Sequence, residues 1–274
     1  MVSALLIGRK GSIGFPGKNI YPVLGKPLAR YPMEAAKNAT LVDAVYISTD
    51  CEHLMALAKK CGVKIIKRPK FLATKKALGE HAFVHGYQEI TKREGPQDAI
   101  VLLHCNSATV TPEMIDNGIK ALKENPSYDS VVSVSKYNMW SPLRARKIGP
   151  DGLLHPFVPF KTFGDPRTLN CDRDSQGDVY FADMSVSIVK PRCLDHIENG
   201  LLPQKWMGQK IYPLIQEAGC DVDYEFQIAQ TEYWIKKNLL GTRTFTVNKG
   251  TCPPIPACPP TPAKKNKRKY EHAS

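Results

Sequence analysis

Leu5-Leu6-Ile7-Gly8-Arg9-Lys10-Gly11-Ser12-Ile13-Gly14-Phe15-Pro16-Gly17-Lys18-Asn19 passes abruptly from an apolar run to glycine, serine and proline, with a cation near each end. An apolar run bounded by turn residues is the pattern of a buried strand. The glycines that follow let the backbone turn tightly and point N–H groups at an anion. Arg9 and Lys18 bring charge for phosphate oxygens, the first as a planar fork and the second as a point charge. Glycine and charge alone fit a phosphate cradle and a tight strand-to-helix turn with solvated cations equally well.

Outward from this stretch the chain alternates strands and helices. Residues 19–31, with Pro22, Gly25 and Pro27, read as a loop, and 31–39 as a helix. Strands are expected over 44–50, 63–66, 99–104, 130–135 and 179–189, and helices over about 52–61, 79–92, 111–125 and 225–237. That alternation predicts a parallel α/β sheet with helices on both faces. The strand Ala99–His104 is the most apolar and ends in the polar turn Cys105-Asn106-Ser107-Ala108-Thr109. Ligands of open α/β sheets bind beyond the carboxyl ends of strands, so this turn and the glycine loop are expected to share a crevice. Residues 137–178 carry five prolines and little periodicity, a long excursion of the kind that serves function or an interface.

The 274 residues, 42% hydrophobic and 23% charged, suit a globular protein. No apolar segment is long enough to span a bilayer, and the first apolar run lacks the flanks of a signal peptide, so a cytoplasmic location is expected. Eight cysteines without a C-x-x-C pair read as reduced thiols. His81 and His85 lie one helical turn apart, without the further ligands of a zinc site. The formal charge is +12. Lys264, Lys265, Lys267, Arg268 and Lys269 against Glu271 supply four of these charges, in a Pro-rich and then basic tail expected to be disordered over 246–274. The remaining basic charge suits an anionic ligand, whether nucleotide, acidic sugar or nucleic acid. The basic run itself reads as a solubilising terminus, a nucleic-acid contact or, in a eukaryote, a nuclear localisation signal.

The ordered motifs resemble the acylneuraminate cytidylyltransferases, with their relatives for Kdo, legionaminic and pseudaminic acid. The glycine loop is similar to the family's R-x-x-S-K-G-x-P-x-K-N signature. The match continues through Ile47-Ser48-Thr49-Asp50, Arg68-Pro69, Leu102-Leu103, Val131-Val132-Ser133, Pro142-Leu143-Arg144 and Asp221-Val222-Asp223, covering residues 2–237 in the family's order. The resemblance implies a Rossmann-like three-layer nucleotidyltransferase fold over residues 1–245, with a mostly parallel sheet and the 137–178 excursion as a dimerisation and substrate element. It implies transfer of CMP from CTP to a hydroxyl of an acidic, sialic-acid-like sugar with release of pyrophosphate, Mg²⁺ as cofactor, and a homodimer. CMP transfer to Kdo or a phosphonate, and a catalytically silent nucleotide- or RNA-binding relative, are the alternatives.

Carried over residue by residue, the resemblance makes Gly8, Arg9, Gly11, Ser12, Lys18, Asn19 and Arg68 the nucleotide contacts, with Arg9 and Lys18 the charge stabilisers. Asp221 and Asp223 become the Mg²⁺ ligands; alone, the pair would read as a helix cap and a solvated carboxylate. His104, Asn106, Ser107, Arg144 and Arg173 become the acceptor contacts, the two arginines for a sugar carboxylate. The chain departs from the family at Ile13, which stands where a lysine is usual. It departs again at His104–Ala108 (usually Q-P-T-S-P), at Thr74–Gly79 (usually S-D-T-A-S-S) and at Asp183-Met184 (usually N-G). Lys75 or Lys76 is a candidate to replace the lost triphosphate serine. An imidazole at 104 would read a hydroxyl or a carboxylate, with a charge adjustable near neutral pH, unless it merely closes the strand.

Overall fold

The apolar run after Met1 forms β1 (Val2–Ile7), every residue of which is buried. The computed structural model describes residues 1–11, 14–172 and 177–241. Ser12, Ile13, Arg173 and the expected tail over 246–274 lie outside the described residues. The sheet continues with β2 (Ala44–Thr49), β3 (Lys64–Lys67), β4 (Ala99–His104), β5 (Ser130–Lys136), β6 (Tyr180–Val189) and β7 (Ile211–Gln216). The order across the sheet is β7-β5-β6-β4-β1-β2-β3. Strands β1, β2, β3 and β4 are mutually parallel, β7 is parallel to β5, and β6 runs antiparallel to both of its neighbours.

Helices α1 (Arg30–Asn38), α2 (Glu52–Lys60), α3 (Gly79–Glu94) and α4 (Pro112–Glu124) fill the crossovers, and α5 (Arg192–Asp195) and α6 (Gln227–Asn238) follow β6 and β7. Successive side chains of a strand point to opposite faces. In β1, Ala4 and Leu6 therefore join α1, α2 and α4 in one core, while Leu5 and Ile7 join Phe83 and Tyr87 of α3 and Leu194 of α5 in the other. The same alternation divides Val101 and Leu103 from Ile100 and Leu102 in β4. Burial on both faces explains why these strands read as unbroken apolar runs. Each such Leu or Ile stabilises the fold by about 1.5–3 kcal/mol. Helix α4 starts where Thr111 caps the Met114 amide at 3.1 Å and Pro112 occupies the first turn.

Four features depart from the sequence expectations. The 19–31 segment holds a short pairing of Pro22–Val23 with Lys26–Pro27, and the excursion holds a hairpin pairing Arg146–Ile148 with Leu154–Pro156. Strand β7 was not expected, because Pro213 interrupts its pattern. It lies at the sheet edge, where a missing N–H is tolerated. Strand β6 carries a bulge between Ala182 and Ser187, with Met184 at a φ of 61°. No helix among the described residues is long and apolar enough to cross a membrane.

Candidate functional site

The strand order reverses between β1 and β4: the chain steps outward through β2 and β3, then crosses under α3 to the far side of β1. The loops leaving the carboxyl ends of β1 and β4 therefore diverge and leave a crevice. A cleft of about 450 Å³ opens there. It gathers Gly8, Arg9, Lys18 and Asn19 from the glycine loop, Arg68 from the end of β3, His104 and Asn106 from the end of β4, and Asp221 and Asp223 from the segment before α6.

Lys18 opens a short 3-10 turn (Lys18–Ile20) and is only 9% exposed. Its ammonium pairs with the Asp223 carboxylate, while Gly14 packs so closely that a Cβ there would stand 2.7 Å from the Asp223 carbonyl. The glycine loop and the acidic segment thus meet across the cleft. Arg68 is 6% exposed and donates to Ser48 O at 2.6 Å and to Ser48 Oγ at 3.3 Å, neutral partners that leave its charge available to the cleft. Burial lowers its pKa from the ordinary guanidinium value. Arg9 donates to Thr74 O at 2.9 Å and so ties the glycine loop to the 74–79 segment. Asn19 Oδ1 is buried without a hydrogen-bond partner in the chain, an acceptor available to a bound N–H or O–H.

Val222 is fully buried against Ala108 and Trp234, and its neighbours Asp221 and Asp223 line the cleft. Burial raises the Asp221 carboxyl, and the negative Asp223 adds to the effect, with Lys18 opposing it. Asn106 holds this segment from both sides: its carbonyl accepts from Val222 N at 2.8 Å, and its amide donates to Val222 O at 3.0 Å and Asp221 Oδ2 at 3.2 Å.

His104 packs edge-on to Phe83 at 5.3 Å between ring centroids and lies near Trp206. Burial pushes its pKa down to about 4, opposed by a backbone hydrogen bond with Met184. The ring is neutral at physiological pH, which corrects the expectation of a charge adjustable near neutrality. A neutral imidazole suits a hydroxyl or amide better than a carboxylate.

Three expected contacts are not brought to the cleft. Ser107 is wholly buried and donates to Cys220 O at 3.0 Å and Ser185 Oγ at 3.4 Å, so it holds backbone rather than facing a ligand. Gly11 lines an adjoining hollow of about 140 Å³ that shares Arg9, Lys18 and Asn19 with the cleft and is completed by Lys10, Cys51 and His53. Arg144 lines another cavity, of about 580 Å³, with Arg146 and Phe160, and its guanidinium donates to Cys171 O. On the 74–79 side the cleft is walled by Ala77, Leu78 and Gly79, not by Lys75 or Lys76. Tyr224, beside the acidic pair, is a lining residue that sequence reasoning missed. Among the described residues no three His, Cys, Asp or Glu side chains form a metal cluster, so His81 and His85 gain no further ligand.

An open, mostly parallel α/β sheet with a glycine loop at its switch point is the architecture of the nucleotidyltransferase fold. The cytidylyltransferase family profile matches residues 4–148, more than half of the chain, and the chain belongs to that family. The bifunctional pseudaminic acid cytidylyltransferase and UDP-2,4-diacetamido-2,4,6-trideoxy-beta-L-altropyranose hydrolase of Helicobacter pylori is 29% identical, over 52% of this chain and 27% of its own. The N-acylneuraminate cytidylyltransferase A of Danio rerio is 28% identical over 84% of this chain and 50% of its own. The chain thus spans between about a quarter and a half of these relatives' length. Among solved structures, the CMP:2-keto-3-deoxy-manno-octonic acid synthetase complexed with CTP superposes with a TM-score of 0.60 at 13% identity, over 87% of this chain and 99% of its own. At that identity the likeness concerns the fold.

Proposed function

We propose that the chain transfers CMP from CTP to a hydroxyl of an acidic sugar, releasing pyrophosphate, and that the acceptor is a nonulosonate of the sialic-acid type. The observation that carries this reading is the convergence of Arg9, Lys18 and Arg68 with Asp221 and Asp223 in one cleft at the switch point. The acceptor oxygen bonds to the α-phosphorus, the bond from that phosphorus to the β-phosphate oxygen breaks, and the hydroxyl proton passes to solvent or base. Such a displacement needs alignment and charge stabilisation more than covalent help. Arg9 and Lys18 neutralise charge growing on the phosphate oxygens, and Arg68 and Asn19 orient the nucleotide.

Asp221 and Asp223 suit Mg²⁺, which takes one or two carboxylates from a protein and completes its shell with phosphate and water. Their fit is supported by the raised Asp221 carboxyl, whose cost a divalent cation relieves. The ion supplies charge neutralisation on the phosphates when bound. His104 and Asn106 face the acceptor as neutral groups. Arg144 and Arg173 would reach a sugar carboxylate only from the excursion, and a homodimer is proposed to form through that element. Met139, Trp140, Ile148, Leu153, Leu154 and Phe157 are exposed on it, an apolar surface suited to a second copy.

The test is pyrophosphate release with CTP, Mg²⁺ and a panel of N-acetylneuraminic acid, pseudaminic acid, Kdo and a phosphonate. Release with a nonulosonate is expected. No release above background with any acid overturns the activity, and release with Kdo or the phosphonate alone overturns the acceptor assignment.

A further inference from the structure

The segment that carries Asp221 and Asp223 is held residue by residue by polar groups of β5, of α6 and of the segments that follow β4 and β5. Gln230 donates to Ala218 O at 3.2 Å, and Tyr137 Oη donates to Gly219 O at 3.0 Å. Gly219 N donates to Ser135 Oγ at 2.9 Å, and Cys220 N donates to Thr109 Oγ1 at 3.0 Å. Beneath them lies Asp183, 5% exposed. Its Oδ1 accepts from Ser133 Oγ at 2.5 Å and Ser185 N at 3.1 Å, and its Oδ2 from Ser135 Oγ at 2.7 Å and Gln216 Nε2 at 2.9 Å. All four donors are neutral. Gln216 Nε2 reaches on to Ser185 Oγ at 3.0 Å, and Ser185 meets Thr109 Oγ1 at 2.6 Å. A Cβ at Gly219 would stand 2.5 Å from Asp183 Oδ2, so the strap lies directly on this carboxylate.

We infer that Asp183 is a positioning residue: by holding Ser135 and Gln216 it sets the 218–222 strap, and with it the placing of Asp221 and Asp223 opposite Lys18. A buried carboxylate imposes one polarity on the network. It only accepts, so Ser133, Ser135 and Gln216 must all point donors inward, which leaves the Ser135 lone pairs for Gly219 N. Partners that orient metal-ligating carboxylates matter to activity without touching substrate. The catalytic consequence rests on the cytidylyltransferase reading; the positioning itself does not.

The experiment compares Asp183→Ala with Asp183→Asn in the full chain. In Asp183→Ala, hydrogen exchange at the Gly219, Cys220 and Val222 amides is expected to quicken by about tenfold or more while amides of β1 and β4 keep their rates. The kcat for pyrophosphate release is expected to fall about 10- to 100-fold with the CTP KM unchanged. Asp183→Asn keeps an oxygen acceptor for Ser133 and Ser185 but turns an amide donor toward Ser135, so exchange and turnover between those of the unmodified chain and of Asp183→Ala are expected. Unchanged exchange in folded Asp183→Ala, or a uniform rise across the sheet, overturns the inference. If Asp183→Ala does not fold, Gln216→Leu is read by the same amides, with the same outcomes. Absence of pyrophosphate release in the unmodified chain overturns the activity alone, since exchange still decides the positioning.

Discussion

Lys18 shows how a surface-type residue is drawn into a cleft. Its aliphatic stem is buried and its ammonium is aimed at Asp223, so its charge sits in the cleft rather than in bulk water. Interactions there are screened far less than at the surface. Lys18→Ala and Asp223→Asn are each expected to lower kcat by about 10²- to 10³-fold, the usual cost of removing one preorganised charge stabiliser. Steady-state kinetics with near-normal rates in both variants would exclude the assigned roles. His104 gives a pH prediction. Its folded pKa of about 4 lies below the 6.5 of a free imidazole, so between these values the unfolded chain binds the extra proton. This contribution is present at neutral pH and is lost as pH falls through that window. A melting-temperature series on His104→Gln should show a shallower acid slope than the unmodified chain; identical slopes would contradict the burial argument.

At the scale of elements, the glycine loop, the ends of β3 and β4 and the strap before α6 act together because the sheet places their termini at one edge. Helix α3 supports the other side. Phe83 is fully buried in the core beneath the sheet and braces both His104 and Trp206, at 5.3 and 5.4 Å between centroids. Phe83→Ala is expected to cost about 3–5 kcal/mol, the range for an emptied aromatic site in a close-packed core. Urea unfolding measures it, and a loss below about 1 kcal/mol would mean that the core collapses around the gap. Elements buried on both faces were legible in sequence, because such strands need unbroken apolar runs. Strand β7 was not, since at an edge it can keep Pro213 and exposed side chains such as Ile215, 63% exposed.

For the whole molecule, the excursion leaves β5 and returns to β6, adjacent antiparallel strands, so it projects from the same sheet edge that bears the cleft. Its exposed Leu154 and Phe157, 71% and 62% exposed, supply the proposed contact between two copies. Sedimentation equilibrium should report a dimer for the unmodified chain and a monomer for Leu154→Asp with Phe157→Asp. A monomer in both would remove the dimer from the account. Arg144 belongs to this scale as well: within one chain it lies outside the cleft, in the cavity of the excursion.

Local chemistry determined much on its own. Apolar runs and turn residues specify the strands and the glycine loop, and their alternation points to an α/β sheet, although it did not show that β6 runs antiparallel. The order of the motifs points to the family and to nine residues that share one cleft. Tertiary structure alone decided which polar side chains line the cleft and which hold the backbone. Asn106 and Ser107 are neighbours of similar character, yet one lines the cleft and the other lies beneath the strap. Asp183 read in sequence only as a departure from the family's N-G, and it lies under the strap that leads to the acidic pair. The reason is physical: a hydrogen-bonding group carries the same chemistry whether its partner is a substrate or a carbonyl from a segment 113 residues away, and only the folded chain says which partner is within 3 Å.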